Sequence, residues 1–585
     1  MAVENKKRSH KAQKVLERFE KKLNRQIVGS LVACVHCGNC TNACHYVLAN
    51  PDDPTYAPAY KADQIRKIFK RHFDWTGRVI PWWVKAKSVY TDEDLENLKD
   101  IVFGKCTNCR RCSINCPMGV DYATFNRMAR GLLVSVGVMP EGVAVVSKDQ
   151  WELGNQMGVL KEDYIDTLEW LAEEMEMEFN DPKATIPIDK KDADIIYTIN
   201  PREIKYDPRT ISDAAKIFYA AGENWMMPSE GWDQTNFGLF SGDDDLGGSV
   251  ARHVYETMKH YNGKKCVISE CGHGYRSTMC EGPNWAGMDI KFEMESSVIT
   301  MLRYIKEDKI KVDKSKNTST YTFHDSCNNA RSCGLYEEPR ELLNLVVDDF
   351  REQYPNRAEN YCCTGGGGAM SMSEYSGLRL KSAKVKADQL AATGAKTVVT
   401  SCHNCVDGLN DLIKHYKLDM KVVQLVNLVA EALILEPKPE VKPEETVVEV
   451  KADHSLAGYK ILITDDEPDF LTFLGMVLED NGATVIQATN GDEAIELATK
   501  EKPDLITLDI TMPGRSGIET FEIMRKTSGI DQIPVCIITG KPEMRKLIYE
   551  RSVIPPEGYV DKPVDEEGIL VNIRKILDIA HQSEK

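Results

Sequence analysis

The stretch CTNCRRCSINCP, Cys106 to Pro117, spaces four cysteines as C-x2-C-x2-C-x3-C and closes with proline. An earlier stretch, CVHCGNCTNACH, Cys34 to His45, repeats the spacing with His45 in the proline's place. Three thiolates two residues apart on a tight loop reach three irons of one cubane. A fourth, carried off on a short helix, ligates the other cluster. The expected sets are therefore Cys34, Cys37, Cys40 with Cys116 (cluster 1) and Cys106, Cys109, Cys112 with Cys44 (cluster 2). Zinc knuckles use paired C-x2-C motifs, a poor match to three cysteines in a row. Covalent haem needs C-x2-C-H, which the C-x3-C-H at His45 does not supply. Two [4Fe–4S] clusters are thus expected in a helical domain over residues 31–140.

Outward from these clusters, the whole chain has 585 residues, 18 cysteines, 42% hydrophobic and 28% charged residues. That is soluble-globular composition, with length for about three to five domains. The longest apolar stretches, such as Val422 to Leu435, are broken by Gln424, Asn427 and Glu431, so no membrane span is expected. The first residues lack a secretory apolar region. A cytoplasmic location follows, in which cysteines serve as metal ligands and not as a disulfide framework. A net charge of -17 argues against nucleic acid as a partner. Residues 1–30 run the other way, with nine Lys/Arg against three Asp/Glu. They read as a basic helix, either packed on the next domain or docked to an acidic partner or anionic membrane surface.

Residues 141–435 contain a second cysteine constellation: Cys327, the adjacent Cys362 and Cys363, then Cys402 and Cys405. Adjacent cysteines before a glycine run (Gly365 to Gly368) suit crowded irons, with backbone approaching the sulfides. No Lys-Ser/Thr follows the glycines, so a phosphate-binding loop is not indicated. The region also repeats. Lys264 to Gly274 aligns with Ala395 to Cys405, Ile195 to Asn200 with Thr322 to Cys327, and Asn236-Phe237-Gly238 falls opposite Cys362-Cys363-Thr364. Two α/β lobes are predicted, 141–310 and 311–435. The earlier one has Asn200, Asn236, Phe237 and Gly274 at ligand positions and is expected to hold no cluster. His324, His403 and His273 lie beside ligands, where either proton donation or hydrogen bonding to sulfur fits. Of the remaining cysteines, Cys266 and Cys536 read as core, and Cys333 as an alternative ligand to Cys327.

A Pro-, Glu- and Lys-rich linker is predicted at 436–457. Residues 458–585 then alternate apolar β-rich runs with amphipathic helices, the pattern of a parallel, doubly wound sheet. Asp465 and Asp466 close one strand and Asp509 another, with Thr511 two residues on. Thr539 ends a third strand, and Tyr559 precedes Lys562 by three. Ligand residues belong at such strand ends. Three carboxylates there form a hard-oxygen Mg2+ site and leave Asp509 as nucleophile for phosphoryl transfer.

The first two clusters carry the bacterial ferredoxin signature. Together with the later constellation they resemble the CCG-domain family, the catalytic lobe of heterodisulfide reductase, in the HdrD-type arrangement. Cys34–His45, Cys106–Pro117, Asn236-Phe237-Gly238, Glu270 to His273 and His324 to Arg331 are most similar to DsrK-type subunits of sulfate-reducer membrane complexes, with TmcB and HmcF as siblings. The resemblance implies a noncubane [4Fe–4S] centre on Cys327, Cys362, Cys363, Cys402 and Cys405 that reduces or forms a disulfide- or trisulfide-type bond, with His324 and His403 as candidate catalytic groups. It also implies a haem b or quinone-reactive membrane subunit, cytochrome c subunits, a small thiol/disulfide protein or low-molecular-weight disulfide as substrate, and a location on the inner membrane face. Residues 459–582 resemble a response-regulator receiver. That implies Mg2+ on Asp465, Asp466, Asp509 and the Thr511 carbonyl, phosphorylation of Asp509, switch residues Thr539, Tyr559 and Lys562, and a histidine kinase partner. A multidomain α+β and α/β protein is expected. Two rival functions stand beside the disulfide oxidoreductase: a redox-sensing signalling protein, and a subunit for lactate or glycerol-3-phosphate oxidation.

Overall fold

The computed structural model describes residues 8–435, 456–539 and 556–562, with 564, 569, 570, 572–574, 576 and 577. They belong to two compact units, 1–437 and 438–585. Most of the expected linker, residues 436–455, lies outside the described residues, as do residues 1–7 of the basic segment.

The first unit opens with helices. Ser9 caps helix His10–Lys22 by accepting from the Ala12 amide, and Ala12, Val15, Leu16 and Phe19 recur at helical spacing to bury one face. Phe19 joins Leu31, Phe69, Phe103, Phe125 and Leu132 in one apolar core. Asp121 caps the long helix Tyr122–Val134, which runs beneath both cysteine loops. In the second loop Arg110 sits in the left-handed region (φ 64) where the first loop has Gly38 (φ 86). A side chain there costs about 1 kcal/mol or more. It is offset by contacts of that side chain to Asp121 (3.1 Å) and Ser332 (3.4 Å).

Two parallel sheets follow. Strands β1 (Ile195–Thr198), β2 (Trp225–Met226), β3 (Lys265–Ile268) and β4 (Glu293–Ser296) run in the order β2-β1-β3-β4. After β5 (Lys311–Val312), strands β6 (Thr320–His324), β7 (Asp349–Phe350), β8 (Thr397–Thr400) and β9 (Lys421–Gln424) repeat that order as β7-β6-β8-β9. Strand β10 (Leu433–Ile434) returns antiparallel to β5. The sheets share a core: Tyr197, Phe218 and Met301 cluster with Phe323, Leu342 and Val399. Asn200 and Cys271 follow β1 and β3, while Cys327 and Cys402 follow β6 and β8, so both sets stand at carboxyl ends of inner strands.

The second unit is a five-stranded parallel sheet of β11 (Lys460–Thr464), β12 (Thr484–Ala488), β13 (Leu505–Leu508), β14 (Val535–Thr539) and β15 (Gly558–Asp561). Its order is β12-β11-β13-β14-β15, the doubly wound arrangement. The protein is therefore multidomain, with a helix-rich cysteine region, parallel α/β sheets and a separate doubly wound domain.

Candidate functional site

Two cavities take up the first eight cysteines. Cys34, Cys37, Cys40 and Cys116 line one of about 280 Å³. Cys44, Cys106, Cys109 and Cys112 line another of about 580 Å³. Each draws three thiols from one loop and one from the other. Four soft donors around a mainly apolar space fit an iron–sulfur cube. The Tyr122 hydroxyl lies 3.2 Å from the Cys34 sulfur, placing a hydrogen-bonding group at that site.

The later cysteines converge at the ends of β6 and β8. The Cys363 and Cys405 sulfurs are 3.2 Å apart. Cys402 lies within hydrogen-bonding reach of Cys405, and Cys362 of both Cys363 and Cys109. A methyl group on Gly366 would stand 4.0 Å from the Cys327 sulfur. Cys362, Cys363, Cys402 and Cys405 are buried. Five thiols without disulfides, packed this closely, fit a thiolate-rich metal centre. The glycine run also serves close backbone packing. A Cβ on Gly365 would stand 2.0 Å from the Asn404 carbonyl, and one on Gly367 2.3 Å from the Thr107 carbonyl. These glycines let the loop lie flat on the Cys402–Cys405 turn and on the second cubane loop, backbone against backbone.

Arginines join that loop to the later lobe. Arg130, fully buried, donates to the carbonyls of Val102 (2.9 Å), Phe240 (2.9 Å), Gly367 (2.7 Å) and Cys106 (2.6 Å). Arg331 donates to the Cys109 (2.6 Å) and Ala358 (2.7 Å) carbonyls. Arg111 donates to those of Ala43 (2.6 Å) and Glu359 (2.7 Å). Charged donors on neutral carbonyls contribute roughly 1.5–3 kcal/mol each. The contact between Cys109 and Cys362 is held by this scaffold and by Thr107, whose hydroxyl is 3.4 Å from the Cys362 sulfur.

His324 and Lys386 sit under the cysteines. The ligating atoms of His324, Cys363 and Cys405 all lie within 4.8 Å of one another. Burial, with Lys386 nearby, lowers the His324 pKa and keeps the ring neutral. The Asn360 amide is 3.2 Å from His324 Nδ1, and its oxygen accepts from Lys386 (2.8 Å). Burial pulls Lys386 down to about 7. Neither Asn360 nor Lys386 belongs to a motif. Their only sequence signal is a lysine on the core-facing side of helix Lys384–Ala391, beside the buried Ala387 and Leu390. His403 instead directs Nε2 to Glu203 at 2.8 Å, and that carboxylate raises its pKa against the effect of burial. It is His273, from the earlier lobe, that reaches Cys402.

In the earlier lobe the corresponding space is filled. Asn200 Nδ2 lies 3.5 Å from the Cys271 sulfur and His273 Nδ1 3.6 Å from it. Asn236 donates to the Gly247 carbonyl at 2.8 Å, and Phe237 stacks edge-on with Phe240. Cys266 and Cys536 are fully buried.

The second unit gathers its acidic residues at the ends of β11 and β13. Asp465 and Asp509 are buried, and Lys562 reaches them at 2.7 and 3.6 Å. Burial lowers the Lys562 pKa, but the two carboxylates outweigh it and the net shift is upward. Asp509 accepts from the Thr511 amide (2.7 Å) and hydroxyl (3.1 Å) through Oδ2, while Oδ1 is buried without a hydrogen bond. An unsatisfied carboxylate oxygen beside Asp465 fits a cation or phosphoryl group. Asp466 occupies the loop after β11, and Thr539 ends β14, where its carbonyl accepts from the Lys562 amide (3.0 Å). Tyr559 lies in β15 opposite Ile537; its side chain, like Pro563, lies outside the described residues.

Three family models match: a 4Fe-4S dicluster domain over residues 30–120, a cysteine-rich domain over 321–410, and a response regulator receiver domain over 461–574. The Hdr-like menaquinol oxidoreductase iron-sulfur subunit 2 of Archaeoglobus fulgidus is 25% identical across 72% of this chain and 82% of its own length. The D subunit of the dihydromethanophenazine:CoB–CoM heterodisulfide reductase of Methanosarcina mazei is 28% identical across 70% of this chain and 95% of its own. Outside the receiver the chain is similar to heterodisulfide-reductase-related iron–sulfur subunits, and it carries a response regulator receiver domain. Over the receiver, Protein PilH of Pseudomonas aeruginosa is 36% identical, covering 20% of this chain and 97% of PilH. By this kinship the heterodisulfide-reductase-related chain is an iron–sulfur oxidoreductase subunit. Among the described residues, no helix is long and apolar enough to cross a membrane.

Proposed function

We propose that this chain passes electrons between a membrane-bound donor or acceptor and a sulfur substrate, reducing or forming a disulfide- or trisulfide-type bond. The observation that carries the reading is the juxtaposition of Cys109, on the second cubane loop, with Cys362 of the five-thiol site. Cys34, Cys37, Cys40 and Cys116 would hold one [4Fe–4S] cluster and Cys106, Cys109, Cys112 and Cys44 the second. Cys327, Cys362, Cys363, Cys402 and Cys405 would hold a noncubane [4Fe–4S] centre. When bound, these groups supply one-electron transfer and a thiophilic iron site at which an S–S bond is cleaved or made. The chain's own part is positioning. Arg130, Arg331 and Arg111 fix the second loop against the lobe. Neutral His324, oriented by Asn360 above Lys386, faces Cys363, and His273 faces Cys402; each imidazole can hydrogen-bond to a sulfur there. The filled earlier lobe serves as a wall and holds no cluster.

A membrane partner is supported by an exposed aromatic edge. Trp75, Trp82 and Trp83 are 71%, 75% and 78% exposed, beside Val79 and the basic Arg78, Lys85 and Lys87. Tryptophans flanked by Lys and Arg suit a membrane–water interface or the rim of a membrane subunit. The named relatives, a menaquinol oxidoreductase subunit and a heterodisulfide reductase subunit, agree with those two ends of the path.

In the receiver, Asp509 would accept a phosphoryl group with Mg2+ on Asp465, Asp466, Asp509 and the Thr511 carbonyl. The buried Asp509 Oδ1, which accepts no hydrogen bond, also favours a second reading, a signalling protein in which cluster state governs phosphorylation of Asp509. Turnover of a disulfide or trisulfide by the loaded protein supports the first reading. Redox-dependent phosphorylation without turnover supports the second.

Iron analysis and EPR of the anaerobically prepared protein test the cofactor set. About twelve irons are expected, with two cubane signals and one of different character. Cys363→Ala should remove the third signal and about four irons while sparing the others. About eight irons in the unaltered chain would refute the five-thiol centre.

A further inference from the structure

Two cysteines outside the proposed cluster sites meet across the lobes. Cys280 lies in the helical turn Arg276–Glu281 of the earlier lobe, and Cys333 follows the turn Cys327–Ser332 of the later one. Their sulfurs are 3.6 Å apart. Closing to a disulfide bond length needs about 1.6 Å of approach, within reach of side-chain rotation. Cys280 is exposed and Cys333 half-buried, so one thiol meets solvent and the other stands behind it.

The surroundings separate their roles. The Cys333 hydrogen bond, opposed by burial and by Glu281 and aided by Arg276 and Arg110, lowers Cys280 to about 7. The same hydrogen bond and burial push Cys333 up. Cys280 is thus the nucleophile and Cys333 the resolving thiol.

The turns that carry the pair also wall a cavity of about 410 Å³, lined by Cys327, Asn328, Arg276 and Arg110 among others. Arg276 already reaches across it, donating to Asn328 Oδ1 at 3.3 Å.

We propose that Cys280 and Cys333 form a reversible disulfide, made by exchange with a low-molecular-weight disulfide, that ties together the two walls of the Cys327 cavity. The Cys280 thiolate attacks one sulfur of R–S–S–R′, forming Cys280–S–S–R and expelling R′–S−. The Cys333 thiol loses its proton and attacks Cys280, forming Cys280–S–S–Cys333 and releasing R–S−. The two cysteines are oxidised and one external disulfide is reduced to two thiols, so atoms and electrons balance. A dithiol reverses the sequence. The exchange uses neither the clusters nor the receiver and stands apart from the sulfur substrate proposed above.

The test uses the full, cluster-loaded chain held anaerobically with oxidised glutathione, then quenched with acid, alkylated, digested and analysed by mass spectrometry. The expected product is a peptide pair joined through Cys280 and Cys333, lighter by about 2 Da than the two free thiols and reopened by dithiothreitol, with iron content unchanged. In Cys333→Ser the exchange should halt at the first step, leaving glutathione on Cys280. In Cys280→Ser, Cys333 should stay alkylatable. Recovery of both cysteines as free thiols at every glutathione ratio would overturn the proposal. So would glutathione retained on Cys280 in the unaltered chain without a cross-link.

Discussion

Replacing Arg130 with methionine tests whether buried arginine, and not apolar contact alone, holds the second cubane loop to the later lobe. The side chains have similar length, so lost packing is small, although the guanidinium also lies over the Phe103 ring at 4.5 Å. Four carbonyls lose a donor, but Val102 keeps one, because Asn126 Nδ2 also reaches it at 2.8 Å. The loss therefore falls on Cys106, Phe240 and Gly367. A buried acceptor left without a partner costs roughly 1–3 kcal/mol, and removing a buried charge returns part of the sum. Burial lowers the Arg130 pKa only to about 10, so the group is charged at neutral pH and that return is limited. A net loss of about 3–5 kcal/mol is expected, a large share of a domain's stability. All eight tryptophans lie between Trp75 and Trp285, so tryptophan fluorescence in urea follows the first unit without the receiver. The denaturant slope of a unit this large exceeds the ~1–3 kcal/mol/M of small proteins, so the midpoint should fall by roughly 0.5–1 M. Arg130→Lys, whose ammonium cannot span all three segments, should fall between the two. A midpoint for Arg130→Met within about 0.3 M of the unaltered chain would refute the reasoning, because the three carbonyls would then be satisfied without arginine.

Three further outcomes follow from the same structure. Burial raises Glu270 from 4.5 to about 8, against hydrogen bonds from Val426 and Gln424. The folded chain then keeps a proton that the unfolded chain releases, so this residue's contribution is intact at low pH and is lost as pH rises from about 4.5 towards 8. Glu270→Gln should therefore gain stability over the unaltered chain with rising pH, by at most about 5 kcal/mol near pH 9; urea midpoints that differ equally at pH 5 and pH 9 would contradict this. Trp82→Ser combined with Trp83→Ser should weaken flotation with anionic phospholipid vesicles roughly tenfold or more, and unchanged flotation would remove the aromatic edge as support for a membrane partner. Incubation with a small-molecule phosphodonor and Mg2+ should label the chain but not Asp509→Asn; equal labelling would place the phosphoryl group elsewhere.

Legibility in the sequence divides along contact distance. The cubane cysteines are readable because a tight loop solves its geometry within a dozen residues, and C-x2-C-x2-C-x3-C records that solution directly. The receiver is readable for a related reason. Asp465, Asp509, Thr539 and Lys562 each close or follow a parallel strand, and apolar β-rich runs announce those ends. The repeat is legible too, since Asn200 and Cys271 keep the strand-end places that Cys327 and Cys402 occupy in the second sheet. What the sequence does not disclose are contacts satisfied by backbone. Arg130 and Gly367 are 237 positions apart and Arg331 and Cys109 222, and a carbonyl acceptor leaves no mark on residue identity. For the same reason the glycine run gave no sign in sequence of its backbone apposition to Thr107 and Asn404. Lys386 was hidden by its helix, where a core-facing lysine resembles any other until Gln353, Asn360 and Gln389 are seen to receive it. The histidines make the point most sharply. Adjacency in sequence marked His324, His403 and His273 alike, yet the chain turns His403 to Glu203 and brings His273 from the other lobe to Cys402. Which imidazole can reach a thiolate is decided by how two sheets face each other, a relation that neighbouring residue numbers cannot express.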